Sequence, residues 1–437
     1  MRLSLETLAE VPASVARPGY DAGALPCGIV HVGVGAFHRA HQAVYTDAAI
    51  AAAGGDWGIV GVSMRKPDVA AALAPQDGLY TVEILDAQPR YRVIGAVRRA
   101  LTLPLEPERV LAALSAPAIR IVTLTVTEKG YCLDGAGALD LAHPDIVHDL
   151  ATPQAPRSAV GVLAAGLAQR VVEGAPPVTV ISCDNVSDNG ARLAAAVEAF
   201  AARAWPMLVV GALASFPQTM VDSIVPASDA ASRARVNAVL GMTDEGSVQR
   251  EAFSQWVIED RFAGPRPAWD QVGVEIVADV IPYRRLKLHV LNASHSALAY
   301  LGLLRGHTYV RDGIGDAELA GFLDGMIAEE VTPGLPELAV ADYWASVRRR
   351  FSNPAVDHRL DQIAQDGAQK LAQRIFPLMI ANRRTGLPVA RLGQVVRAWI
   401  DWSATNGARP ELDDPALFPP ELRADPVLRA AILGGAP

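Results

Sequence analysis

Apolar and polar positions alternate in two different ways along the chain. In the first part, residues 28–32, 57–64, 120–126 and 178–183 are short apolar runs of buried-strand length. Residues 79–85 and 91–97 alternate and are rich in β-formers, so they also predict strands. Between them, residues 40–53, 107–115 and 159–173 have helical spacing. Strands that alternate with helices predict an α/β domain with a mostly parallel sheet covered on both faces. After Pro282 the spacing becomes helical almost throughout, over 287–304, 316–330, 338–350, 355–365, 368–381 and 389–402. The stretch 255–280, with Trp256, Trp269, Pro265 and Pro267, reads as irregular, and the tail from Asn406 as partly regular. A chain of 437 residues exceeds what one core usually holds. The expected division falls near residue 275, giving domains 1–275 and 276–437.

The first strand runs straight into Gly33-Val34-Gly35-Ala36-Phe37-His38. Strand, glycine pair and helix form the setting of a dinucleotide fingerprint, in which Gly33 makes the tight turn and Gly35 lets the backbone approach a pyrophosphate. His38 stands where the third glycine of that pattern belongs, which implies looser helix packing or a side chain aimed at the ligand. At the end of the second strand, where an acid would hold the adenosine ribose, stand Arg65 and Lys66, with Asp68 just beyond. The cations suit the 2′-phosphate of NADP. Arg65 stacked on adenine with Asp68 on the ribose suits NAD, and a plain solvated turn fits as well. Glu128, in Thr127-Glu128-Lys129-Gly130-Tyr131, and the loop 184–190 follow two further strands, where ligands of open α/β sheets bind. Turn chemistry alone also accounts for such residues.

In the helical part, Leu286 to His295 sets Lys287, Asn292 and His295 into an apolar decapeptide. On an α-helix at about 100° per residue, Asn292 lies roughly 140° and His295 roughly 80° round from Lys287, so the three share half of the cylinder. Leu291 falls among them, so the lysine is expected to be desolvated, with a lowered pKa suited to a general base near neutral pH. Taken alone, the decapeptide favours a structural role, because buried histidines and backbone-bonded asparagines are common.

Composition narrows the setting. The hydrophobic fraction of 51% with 20% charged residues is that of an ordinary globular protein, and the net charge of −8 argues against nucleic acid as a partner. Cys27, Cys132 and Cys183 are far apart, without the close pairs of zinc sites or disulfide frameworks, so a reduced, cytoplasmic setting is expected. The first residues lack a signal-peptide core and no apolar run is long enough to span a bilayer, so no membrane partner is expected.

Several separated stretches together resemble the mannitol dehydrogenase family of polyol-specific long-chain dehydrogenases. They are the 33–41 glycine segment, 127–131, Ser182-Cys183-Asp184-Asn185, Ser215-Phe216-Pro217 through Met220-Val221-Asp222, Gly264 to Trp269, and the lysine helix. The resemblance implies a Rossmann-type N-terminal domain and a mainly α-helical C-terminal domain like that of 6-phosphogluconate dehydrogenase. It further implies metal-independent hydride transfer between NAD or NADP and a secondary alcohol of a linear polyol or sugar acid; NAD is slightly the more expected of the two cofactors. By the same resemblance Lys287 is the acid/base, Asn185 and Asn292 polarise the carbonyl, and His295 helps bind the substrate oxygen. Gly33, Gly35, Ala36, Phe37, His38, Arg65, Asp68 and Glu128 are expected at the cofactor, and Asp222, Arg359 and Lys370 at the substrate, with no metal. Arg284 stands where the family often has an acid, three residues before the lysine. Residues 350–354, His358-Arg359 and 366–374 look more like the fructuronate reductase branch, which acts on hexuronates. Two other readings remain: a sugar-phosphate dehydrogenase of the mannitol-1-phosphate kind, and a catalytically silent nucleotide-binding regulator. The chain is expected to be a monomer or a small homo-oligomer.

Overall fold

Cys27–Val32 (β1) is an inner strand of a six-stranded sheet, with Gly58–Ser63 (β2), Val97–Thr102 (β3), Ile121–Leu124 (β4), Val178–Ser182 (β5) and Ala214–Ser215 (β6). The order is β3-β2-β1-β4-β5-β6, and every neighbouring pair is parallel. This is the strand order of a dinucleotide-binding Rossmann fold, whose order reverses between β1 and β4. Strands β2, β4 and β5 are buried along their whole length, which is why they read as unbroken apolar runs rather than alternating ones.

The computed structural model describes residues 1–434, so the last three residues of the expected helical domain lie outside the described residues. By their internal contacts these form two units, Met1–Val280 and the part from Ile281 on. No helix among the described residues is long and apolar enough to cross a membrane.

Several elements differ from the sequence expectation for identifiable reasons. The predicted strand 91–97 is the end of Arg90–Ile94 and the start of β3, because the adjacent arginines Arg98 and Arg99 hide the second strand's apolar side. The stretch 255–280, expected to be irregular, contains Gln255–Glu259 and Glu275–Val277, which join Thr219–Asp222 in a small sheet. Trp256 and Trp269 are fully buried there, ring centroids 4.7 Å apart. The helix Asn189–Ala204, packed against the main sheet, was not anticipated. The predicted helix 40–53 is two pieces, Ala36–Ala40 and Gln42–Ala53, broken at His41. The predicted helix 368–381 breaks at Ile375, where Pro377 restarts it as Phe376–Thr385.

The second unit is built of helices around Ala293–Leu304, whose Ala293, Ala297, Leu298, Ala299 and Tyr300 are all fully buried. Ahead of it, Lys287–Asn292 is a π-helical turn, continuous with Ile281–Leu286 before it.

Candidate active site

The glycine turn is fixed by sterics that no other residue meets. Gly33 has φ +95°, and a Cβ there would stand 2.1 Å from the Thr125 carbonyl oxygen. Its N–H donates to Val62 O at 2.8 Å. A Cβ at Gly35 would meet nothing nearer than Gly33 O at 3.8 Å, so the loop's outer side is open backbone into which a pyrophosphate fits. Ala36 and Phe37 follow, half-buried.

Beneath the turn sits a histidine pair. His31 on β1 is 3.4 Å, centroid to centroid, from His38, with the rings 12° from parallel. His31 Nε2 lies 3.1 Å from Gly33 O, an atom that can only accept, so Nε2 carries the hydrogen. Nδ1 then accepts from the Thr123 hydroxyl at 2.7 Å. Burial lowers the pKa of His31 to about 3. His38 is also held well below the usual imidazole range, by burial and then by His31, so two neutral rings stack. At 1% exposure the His38 ring faces inward and packs the helix onto β1, in the place where the fingerprint's third glycine would leave room.

Arg65 and Asp68 follow β2. Arg65 is 84% exposed, its guanidinium 4.0 Å from Asp145, and Asp68 is exposed at the start of Asp68–Leu73. Arg65 and Asp145 line a cavity of about 580 Å³ with Met64, Leu103, Pro104 and His148. Glu128 is exposed in the turn Glu128–Tyr131 beyond β4, and Asn185 is exposed just beyond β5. Both therefore stand past the carboxyl ends of their strands. Asp222, at the end of Thr219–Asp222, is 5% exposed. Cys132, His143 and Asp145 bring donor atoms within 4.8 Å of one another. His143 Nδ1, however, accepts the Asp145 N–H at 3.2 Å as a helix cap, and Arg65 lies beside the carboxylate, so the trio is poorly disposed towards a cation.

In the helical unit, Lys287 and Asn292 bound the π turn and His295 follows it. In a π turn each bond closes from i to i+5, so residues five apart lie about one turn on from each other. Lys287 and Asn292 thus share a face more closely than the 140° expected of an α-helix. Both are half-buried, and His295 is buried. The His295 ring stacks on Phe351 at 4.3 Å and meets His358 edge-on at 5.1 Å. Burial, then His358, Arg350, Arg374 and Lys370, holds His295 well below the normal range, and its Nε2 is buried without a hydrogen-bond partner. Lys370 donates to Ile363 O at 3.0 Å and Arg374 to Ser296 Oγ at 3.0 Å, both uncharged groups. Arg359 is different. It forms an exposed two-bond pair with Asp361, at 3.0 and 2.7 Å, and is not among the groups acting on His295. Arg359, expected at the substrate, is thus held at the surface by Asp361. Sequence reasoning gave His31 no role, its only signal being a histidine within a strand, and it noted Asp184 and His358 only as members of short motifs.

Comparison with known proteins gives the family. A family model described as the mannitol dehydrogenase Rossmann domain matches residues 27–271, and one described as the mannitol dehydrogenase C-terminal domain matches 279–426. The D-mannonate oxidoreductase of Escherichia coli (strain K12) is 40% identical over 410 residues, which is 91% of this chain and 84% of that protein. A mannitol 2-dehydrogenase of Cereibacter sphaeroides is 39% identical over 414 residues, 92% of this chain and 87% of that one. The solved mannitol 2-dehydrogenase of Pseudomonas fluorescens, in ternary complex with NAD and D-mannitol, superposes with a TM-score of 0.83 at 37% identity, covering 99% of this chain and 91% of that one. With the strand order, the glycine turn and both family domains in place, the chain belongs to the mannitol dehydrogenase family and is an oxidoreductase.

Proposed function

We propose that this protein interconverts a secondary alcohol of a linear polyol or hexonate and the corresponding ketose or keto acid, with NAD as the cofactor and Lys287 as the acid/base. The observation that carries the reading is that a chain matching both domains of this family has an open glycine turn at Gly33 and Gly35 in its first unit and a half-buried lysine on a π turn in its second. The nicotinamide, when bound, supplies or accepts the hydride. The chain's own part is to hold the dinucleotide phosphates at Gly33, Gly35 and Ala36, to orient the substrate, and to move the hydroxyl proton. As an alcohol is oxidised, neutral Lys287 takes that proton, and amide N–H donors from Asn185 and Asn292 meet the charge that gathers on oxygen. In the reverse direction protonated Lys287 returns it. His295, neutral and with an unpartnered Nε2, binds a substrate hydroxyl.

The proposed NAD preference is supported by the Pseudomonas fluorescens relative, solved with NAD; in this reading Asp68, exposed just past β2, takes the adenosine ribose. The cations near His295 favour a substrate that carries a carboxylate. Lys370 and Arg374 give their hydrogen bonds to uncharged groups, which leaves their charge available to an anion, and one relative is a D-mannonate oxidoreductase. The test follows reduced nicotinamide spectrophotometrically with mannitol, arabinitol, sorbitol and mannonate against NAD and NADP. Turnover of mannonate above the polyols, with NAD, is expected; tight cofactor binding without turnover of any polyol, sugar acid or sugar phosphate would overturn the reading.

A further inference from the structure

Thr127 occupies backbone space that a β-branched residue rarely enters. Its φ is 68° and its ψ 163°, a region essentially reserved for glycine. It follows β4 and opens the turn Glu128–Tyr131. What holds it there is the carboxylate of Asp184, 57 residues further along, just past β5. Asp184 Oδ1 accepts the Thr127 N–H at 2.8 Å, and Oδ2 accepts the Val126 N–H at 3.0 Å and the Tyr131 hydroxyl at 2.8 Å. The Tyr131 hydroxyl is also 2.5 Å from Ser182 Oγ. Burial pushes the Asp184 carboxyl up, while the three donors favour its ionised form.

The same loop is tied to the glycine turn, since the Thr125 hydroxyl donates to Gly33 O at 2.8 Å. In a sheet of this order one mononucleotide half lies over β1 to β3 and the other over β4 to β6, so the loops after β4 and β5 border the half away from the adenosine. Asp184 is the neighbour of Asn185 in the chain. A strained residue kept at this place, where glycine would sit at ease, is a feature that folding alone does not require.

We propose that Asp184 is a positioning residue: its carboxylate clamps Thr127 in a strained turn, so that the loop after β4 and Asn185 keep fixed places at the nicotinamide half of the dinucleotide site. The inference rests on the dehydrogenase reading above. Asp184→Asn keeps the shape but turns an NH2 towards one set of donors, which opens half of the clamp. Thr127→Gly removes the strain and leaves the turn free to relax.

For Asp184→Asn, faster hydrogen exchange at the Val126 and Thr127 amides is expected, with kcat down at least about tenfold and the melting temperature close to wild type. For Thr127→Gly, the melting temperature is expected to hold or rise while kcat falls severalfold, a split that a merely structural role would not produce. Unchanged exchange in Asp184→Asn would overturn the clamp whatever the substrate proves to be. So would kcat within about twofold of wild type in both variants, or loss of activity only in step with loss of folded protein. A wild-type enzyme inactive on every substrate tried would sink the dehydrogenase reading instead, and the exchange comparison would still judge the clamp.

Discussion

At the scale of single residues, the proposed chemistry turns on one amine. Lys287→Ala should lower kcat at neutral pH by at least about two orders of magnitude, the usual worth of a positioned acid/base, and leave the dissociation constant for NAD nearly unchanged. Steady-state turnover beside a fluorescence titration with NAD checks both, and wild-type-like turnover would remove Lys287 from the mechanism. The contrast between Lys370 and Arg359 is also a matter of single residues. Both are basic and both were candidates from sequence, yet Lys370 acts on His295 whereas Arg359 closes on Asp361 at the surface. Position among neighbours, not residue type, separates them, and an exposed pair of this kind contributes little to stability.

At the scale of elements, the stacked histidines tie the first helix to the first strand. Both rings are neutral in the native state, with His31 at about 3 and His38 well below its normal range. The unfolded chain takes up protons below about pH 6.5, while the native pair does not until far lower, so the stability these rings confer is complete above about 6.5 and is lost as pH falls towards the folded values. The urea midpoint of the wild type should therefore drop between about pH 7 and about 5. His38→Gly, which completes the glycine fingerprint on paper, should cost about 2–5 kcal/mol by leaving a cavity against His31, and should make the pH dependence shallower. A variant as stable as wild type, or one that binds NAD more tightly, would show that the stack is not what joins helix to strand. The π turn is the second instance at this scale. Its wider spacing brings Lys287 and Asn292 towards one face, which the α-helical period does not.

At the scale of the whole molecule, each unit has a core of its own, around Val30, Val122 and Val180 in the first and around Leu298, Leu323 and Val395 in the second. A cofactor that binds only the folded protein stabilises it by mass action, by about 2.7 kcal/mol at a hundredfold excess over its dissociation constant. Calorimetry should thus show NAD raising the melting temperature by an amount on the order of 5 °C, with a smaller rise for NADP. Equal shifts with both dinucleotides would overturn the proposed preference for NAD, and no shift with either would remove the glycine turn from cofactor binding.

The sequence by itself determined what depends on near neighbours: the strand and helix alternation, the need for glycine at position 33, the helical second part, and the motifs that mark the family. These follow from periodicity and from backbone sterics over a few residues. Tertiary structure alone decided that Asp184 reaches back 58 residues to Val126, that His38 turns inward onto His31, and that Arg359 pairs at the surface while Lys370 acts on His295. A hydrogen-bond partner or a stacking face exists only once the sheet and the helices have closed, and no local pattern says which of several polar side chains will meet it.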